Sequence, residues 1–141
     1  MLALLLATAC VRPPVELGPA PNGGGWVVGD DEYVMYGYSW VDEDLLAVFP
    51  KPSATDLHAI AADGVDLLVT LTESPLSDTD LEAAGIEAVH MPVQDFHAPS
   101  YAQMLEFVEL MEAARSNGQS VGVHCLAGRG RSGTMAAVWF V

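Results

Sequence analysis

Nine residues near the end of the chain, His124-Cys125-Leu126-Ala127-Gly128-Arg129-Gly130-Arg131-Ser132, set a cysteine and an arginine apart by five mostly small positions. Val121-Gly122-Val123 before them is short and β-branched, as a buried strand would be. Gly133-Thr134-Met135-Ala136-Ala137-Val138-Trp139 after them is apolar enough for a buried helix. A strand that turns through a tight loop into a helix N-terminus points unpaired backbone N–H groups into a concavity, where the helix dipole adds partial positive charge. The run therefore predicts an anion site.

Gly128 and Gly130 are expected to give backbone angles and a close approach that a Cβ would forbid. Leu126, Ala127, Gly128, Arg129, Gly130 and Arg131 can then curl around a tetrahedral phosphate. Arg131 closes the ring, because its planar fork matches two phosphate oxygens in a way a lysine does not. Cys125, at the base of this electropositive cup, is expected to have a depressed pKa, and a thiolate facing phosphorus is a nucleophile. Ser132 can donate its hydroxyl to the sulfur. His124, whose side chain alternates away from that of Cys125, is expected to support the loop from behind. The leaving oxygen needs a proton, and Asp95 in the proline-bracketed loop Met91-Pro92-Val93-Gln94-Asp95-Phe96-His97-Ala98-Pro99 is the candidate general acid.

Elsewhere the chain alternates strand and helix signals. Tyr33–Tyr38 and Leu45–Phe49 read as a first hairpin around Asp42-Glu43-Asp44. Ser53–Asp63 has helical spacing in Leu57, Ile60 and Ala61 and stops at Gly64; Val65–Leu71 is a dense apolar strand. Ser77–Ala84 is a short helix ending at Gly85, and Glu87–His90 is strand-like. Ser100 with Gln103 makes a capping box for a helix whose Met104, Phe107, Val108 and Met111 share a face, ending near Asn117-Gly118. The expected fold class is α/β, a central mostly parallel sheet flanked by helices, in one domain over residues 33–141.

Nineteen acidic residues stand against five basic ones, Arg12, Lys51, Arg115, Arg129 and Arg131, giving a net charge of −14. That balance argues against nucleic acid and against generic anionic membrane surfaces, and it makes the loop a local positive island. The acidic surface itself is explained by solubility. Two cysteines, Cys10 and Cys125, imply no disulfide framework. The apolar run Met1–Cys10 ends Ala7-Thr8-Ala9-Cys10, similar to the lipobox of bacterial lipoproteins, and residues 11–32, rich in proline and glycine, read as a flexible tether. Two readings stand: a cell-envelope lipoprotein anchored through lipidated Cys10, or an unanchored cytoplasmic protein. A monomer is expected.

The loop resembles the Cys-x5-Arg-Ser/Thr signature of cysteine-dependent protein phosphatases, and His124 through Met135 resembles the small atypical dual-specificity phosphatases. Tyr38-Ser39-Trp40-Val41 with Leu45-Leu46-Ala47 is similar to that family's opening strands, Leu68–Glu73 to its central strand and turn, and Pro92-Val93-Gln94-Asp95-Phe96 to its acid loop. The resemblance implies a protein-tyrosine-phosphatase-like fold. It makes Cys125 the nucleophile, Arg131 the phosphate binder, Ser132 the aid to phosphoenzyme hydrolysis and Asp95 the acid, with no cofactor. The implied substrates are phosphotyrosine or phosphoserine/threonine in proteins. A phosphoinositide or small phosphate ester is the alternative, and an inactive phosphate-binding module a further one. Arg129 stands where relatives often carry an apolar residue, and a cation there can recruit a second phosphate or an acidic substrate. The family continues with more helical chain where this sequence ends at Val141, so the C-terminal helices are expected to be missing.

Gly128-x-Gly130-x-x-Gly133 also matches a dinucleotide fingerprint, but no acidic residue follows on a second strand. A metal site from His90, His97, His124 and Cys125 has no tight ligand spacing behind it, and none is expected.

Overall fold

The computed structural model describes residues 25–28 and 32–141, with side chains from Met35 onward. Met1–Cys10 and most of the expected tether lie outside the described residues. The end of that tether is strand: Gly25–Val28 (β1) pairs antiparallel with Glu32–Met35 (β2), Trp26 opposite Val34. Trp26-Val27-Val28 is an aromatic and β-branched run whose strand propensity outweighs the surrounding glycines.

The expected hairpin is shifted in sequence. Gly37, at φ +77, turns the chain after β2, and a new strand, Ser39–Asp42 (β3), pairs antiparallel with Leu46–Phe49 (β4). Thus Tyr33–Tyr38 is not the partner of Leu45–Phe49. Helix α1 (Ala54–Ala62), strand β5 (Leu67–Thr70), helix α2 (Asp78–Ala84), strand β6 (Glu87–His90), helix α3 (Tyr101–Asn117), strand β7 (Val121–His124) and helix α4 (Gly130–Trp139) follow. The main sheet has the order β3-β4-β7-β5-β6, with β4, β7, β5 and β6 parallel. The middle strand is β7, buried at all four residues, and β5, which opens the Leu68–Glu73 segment, lies beside it inside the sheet, between β7 and β6.

Helices α1, α2 and α3 start where serine side chains satisfy their first N–H groups. Ser53 with Asp56 and Ser100 with Gln103 each form a complete capping box. Gln103 Nε2 also donates to Pro92 O at 2.8 Å, tying the start of α3 to the loop after β6. Gly85 and Gly118 close α2 and α3 in the left-handed conformation.

Alternation along the strands sends the core to both faces of the sheet. Val69, Leu71, Val121 and Val123 pack with Phe107, Met111 and Ala114 of α3 and Met135 and Ala136 of α4. Ala47, Phe49 and Leu68 pack with Leu57 and Ile60 of α1 on the other face. A fully buried side chain of this size contributes on the order of 2 kcal/mol. Gly122 is set by this second face, since a Cβ there would lie 2.7 Å from the Phe49 ring. Because four strands run parallel, their carboxyl ends meet along one edge. The loops that start at Pro50, Leu71, Met91 and Cys125 gather there.

Candidate active site

β7 delivers Cys125 to the middle of that edge, and the loop climbs into α4 at Gly130, three residues before the apolar run that predicted the helix. Arg131 and Ser132 therefore stand in its first turn. The N-cap, Arg129, supplies no side-chain cap, so early N–H groups are left for other acceptors. Cys125 Sγ is one. It accepts the Gly128 N–H at 3.2 Å and lies 3.4 Å from Ser132 Oγ. Burial pushes the thiol pKa up, but the Ser132 hydroxyl and the N–H groups of Ser132, Arg129 and Gly128 outweigh it, and the net shift is downward.

Gly128 carries the expected constraint and Gly130 does not. At φ +70, a Cβ on Gly128 would lie 2.4 Å from Pro50 N and 2.6 Å from Phe49 C, so the loop rests directly on the backbone leaving β4. Lys51 N–H adds a hydrogen bond to Leu126 O at 3.2 Å. A Cβ on Gly130 would meet nothing within 4 Å.

His124 lies behind the loop, fully buried, its ring stacked on Phe49 at 6.1 Å between centroids. Nδ1 is 3.3 Å from Cys125 O and Nε2 3.0 Å from Thr70 Oγ1. The carbonyl can only accept, so Nδ1 carries the proton and Nε2 accepts from the Thr70 hydroxyl. Burial first, then the charges of Lys51, Arg131 and His90, lowers the ring's pKa from 6.5 to about 4 despite the bond to Cys125 O. Between pH 6.5 and about 4 the unfolded chain takes up a proton that the folded chain refuses. Stability at this residue therefore falls by up to about 3 kcal/mol on acidification through that window. Urea denaturation of the protein and of His124→Gln at pH 7 and pH 4.5 checks this. The variant should lose less stability on acidification, and an equal loss would mean that His124 is not held neutral.

Arg131 is the most heavily engaged side chain at this edge, 4% exposed. Nη1 donates to Val93 O at 2.8 Å and Glu73 Oε2 at 3.1 Å, with Leu71 O at 3.5 Å; Nη2 pairs with Asp95 Oδ1 at 3.2 Å. Its Nε is the only buried side-chain nitrogen or oxygen without a hydrogen-bond partner among the described residues. A buried donor without an acceptor is costly unless something else accepts from it. Asp95 is about half exposed, in the loop after β6, where His97 Nδ1 donates to its carbonyl at 2.8 Å.

A family profile described as a polymorphic toxin system DSP-PTPase phosphatase matches residues 48–141. The chain belongs to this DSP-PTPase family. It is 30% identical over 92 residues to the tyrosine-protein phosphatase CDC14 homologue of Schizosaccharomyces pombe, covering 65% of this chain and 17% of that protein. The chain thus spans less than a fifth of that relative's length. Among solved structures it is similar to Tk-PTP in its active form, at 34% identity and a TM-score of 0.67, covering 74% of this chain and 72% of that one. It is also similar to PTPMT1, at 25% identity and a TM-score of 0.65, covering 73% and 70%.

In this DSP-PTPase domain, Cys125, Arg131, Ser132, His124 and Asp95 come together, and the exposed Leu126, Ala127, Arg129 and Gly130 form the lip of the loop. The histidines do not converge. His90 Nε2 sits on Thr72 O, His97 on Asp95 O and His124 on Thr70. Two residues of the site were not foreseen from the sequence, Thr70 and Glu73. Glu73 binds both sides: Oε1 accepts the Asp95 N–H at 2.8 Å while Oε2 holds Arg131. Its pKa is lowered, by its own backbone hydrogen bond first, then by those to Asp95 and Arg131, so it stays ionised. Its place just past the carboxyl end of β5 is the signal that also nominated Asp95.

Proposed function

We propose that this domain hydrolyses phosphate monoesters through a cysteinyl-phosphate intermediate, with phosphotyrosine or phosphoserine/threonine in proteins as substrates. The observation that carries the reading is the buried Arg131 Nε without a protein acceptor, on the loop that also holds a thiol of lowered pKa. Nε and Nη2 on one side of a planar guanidinium suit two oxygens of a phosphoryl group. The loop N–H groups from Leu126 to Arg131 would receive the remaining oxygens.

In the first step Cys125 Sγ attacks phosphorus, the S–P bond forms and the ester P–O bond breaks. The Asp95 carboxyl gives its proton to the leaving oxygen. In the second, the Asp95 carboxylate takes a proton from water and the water oxygen attacks phosphorus. The S–P bond then breaks, releasing inorganic phosphate and a thiolate that the Ser132 hydroxyl stabilises. Charge builds on the equatorial oxygens in both steps, where the guanidinium and amides lower its energy. Glu73 positions two of these parts, holding the Asp95 backbone and the Arg131 fork in one frame. Protein as substrate is supported by the relative described as a tyrosine-protein phosphatase and by a net charge that disfavours anionic bilayers.

Asp95→Asn tests the acid. With alkyl phosphates, whose leaving groups are poor, kcat should fall by about 10² to 10⁴-fold; with aryl phosphates of acidic phenols the fall should be small. Equal losses across the series would remove Asp95 from that role. Running the wild-type protein on phosphopeptides beside phosphoinositide vesicles and small phosphate esters tests the substrate class.

A further inference from the structure

Four of the five basic residues lie among the described residues, in a chain with nineteen acidic ones. Two of the four are satisfied. Arg115 pairs with Glu112 at 3.7 Å and covers the Trp139 ring, and Arg131 is held by Glu73 and Asp95. The other two, Lys51 and Arg129, are exposed, and neither is in an ion pair with a carboxylate among the described residues. Both of these unpaired cations sit at the same loop of an otherwise acidic surface. The Lys51 backbone bonds to Leu126, the first residue after the nucleophile, while Arg129 is the last residue before α4. The Phe49-Pro50 backbone, just before Lys51, is pressed against Gly128. The field of Lys51 also reaches the buried His124 ring behind the loop.

We propose that Lys51 and Arg129 select phosphorylated protein segments that carry an anionic side chain, acidic or itself phosphorylated, within two residues of the phosphate being removed. The inference rests on the reading of this domain as a protein phosphatase and specifies which segments it takes. Extended residues advance about 3.5 Å each, so a flanking carboxylate one or two positions away falls within the screening length of about 8 Å at physiological salt. The same reach confines the attraction to the loop. Beyond it the negative surface takes over, which suits a short anionic stretch on a peptide and opposes an extended anionic bilayer.

The test uses phosphopeptides identical except for Asp, Ala or Lys at the two positions beside the phosphoresidue. The wild-type protein should prefer Asp over Ala flanks by about tenfold in kcat/KM at low salt, with the ratio shrinking towards one near 1 M salt. Lys51→Ala and Arg129→Ala should each lower that ratio about threefold, and Lys51→Glu should push it below one. Fluorescence anisotropy with Cys125→Ser and the same peptides reads the preference as binding, independently of turnover. A ratio of one for the wild-type protein, a ratio untouched by both substitutions, or phosphoinositide vesicles turned over faster than the Asp-flanked peptide would each overturn the proposal. Failure of the phosphatase reading looks different: no hydrolysis of any peptide or of p-nitrophenyl phosphate.

Discussion

Cys125→Ser is expected to lower kcat by about 10⁴-fold or more while the folded protein still binds phosphate esters. The exchange changes little volume in a pocket that is almost fully buried, and Gly128 N–H and Ser132 remain to hydrogen-bond the new oxygen. What is lost is the anion. Donors that lower the pKa of a thiol enough to yield thiolate leave a serine hydroxyl neutral at the same pH. Rapid acid quench with ³²P-labelled substrate should trap a phosphoenzyme in the wild-type protein and none in the variant. Turnover surviving within tenfold would sink the cysteinyl-phosphate mechanism.

Arg131→Lys should cost about 10³-fold in kcat/KM, shared between KM and kcat. The guanidinium reaches Val93 O, Glu73 and Asp95 at once and still turns Nε and part of Nη2 elsewhere. A single ammonium offers three donors from one point and does not span those positions. Glu73 and Asp95, held now by different nitrogens of one guanidinium, would no longer both be bonded to it, so the Asp95 loop would lose one of its ties to the Cys125–Arg131 loop. Steady-state kinetics on an aryl phosphate, with a thermal melt to confirm folding, measures this. A lysine variant within tenfold of wild type would mean that Arg131 does not clamp the transferring group.

Much of the fold was legible in local chemistry. The helix starts at Ser53 and Ser77, the capping box at Ser100 and the glycine stops at Gly85 and Gly118 place α1, α2 and α3. These features act within one turn of chain, which is why sequence displays them. Less visible were the boundaries that depend on partners. β3 begins at Ser39 because Gly37 turns the chain and β4 offers a ladder. α4 begins at Gly130 because its first turn is filled by Arg131 and Ser132, residues that look like loop when read for apolarity.

Within the site the same division holds. The thiol, the arginine and the hydroxyl proposed for the reaction lie within eight consecutive residues, 125 to 132, so spacing alone points to an anion-binding loop with a thiol at its base. Asp95 needed a chemical requirement, a proton for the leaving oxygen, added to its place after a strand. Glu73 is 58 residues from Arg131, and Thr70 is 54 from His124; nothing in the local pattern pairs them. The sequence by itself determined which chemically capable groups are present and which of them are near neighbours. Tertiary structure alone decided which of them meet, that Gly128 rather than Gly130 is the glycine the loop requires, and that Glu73 holds Asp95 and Arg131 together. Reactivity belongs to residue types and their near neighbours, whereas these contacts arise only when parallel strands bring distant carboxyl ends to one edge of the sheet.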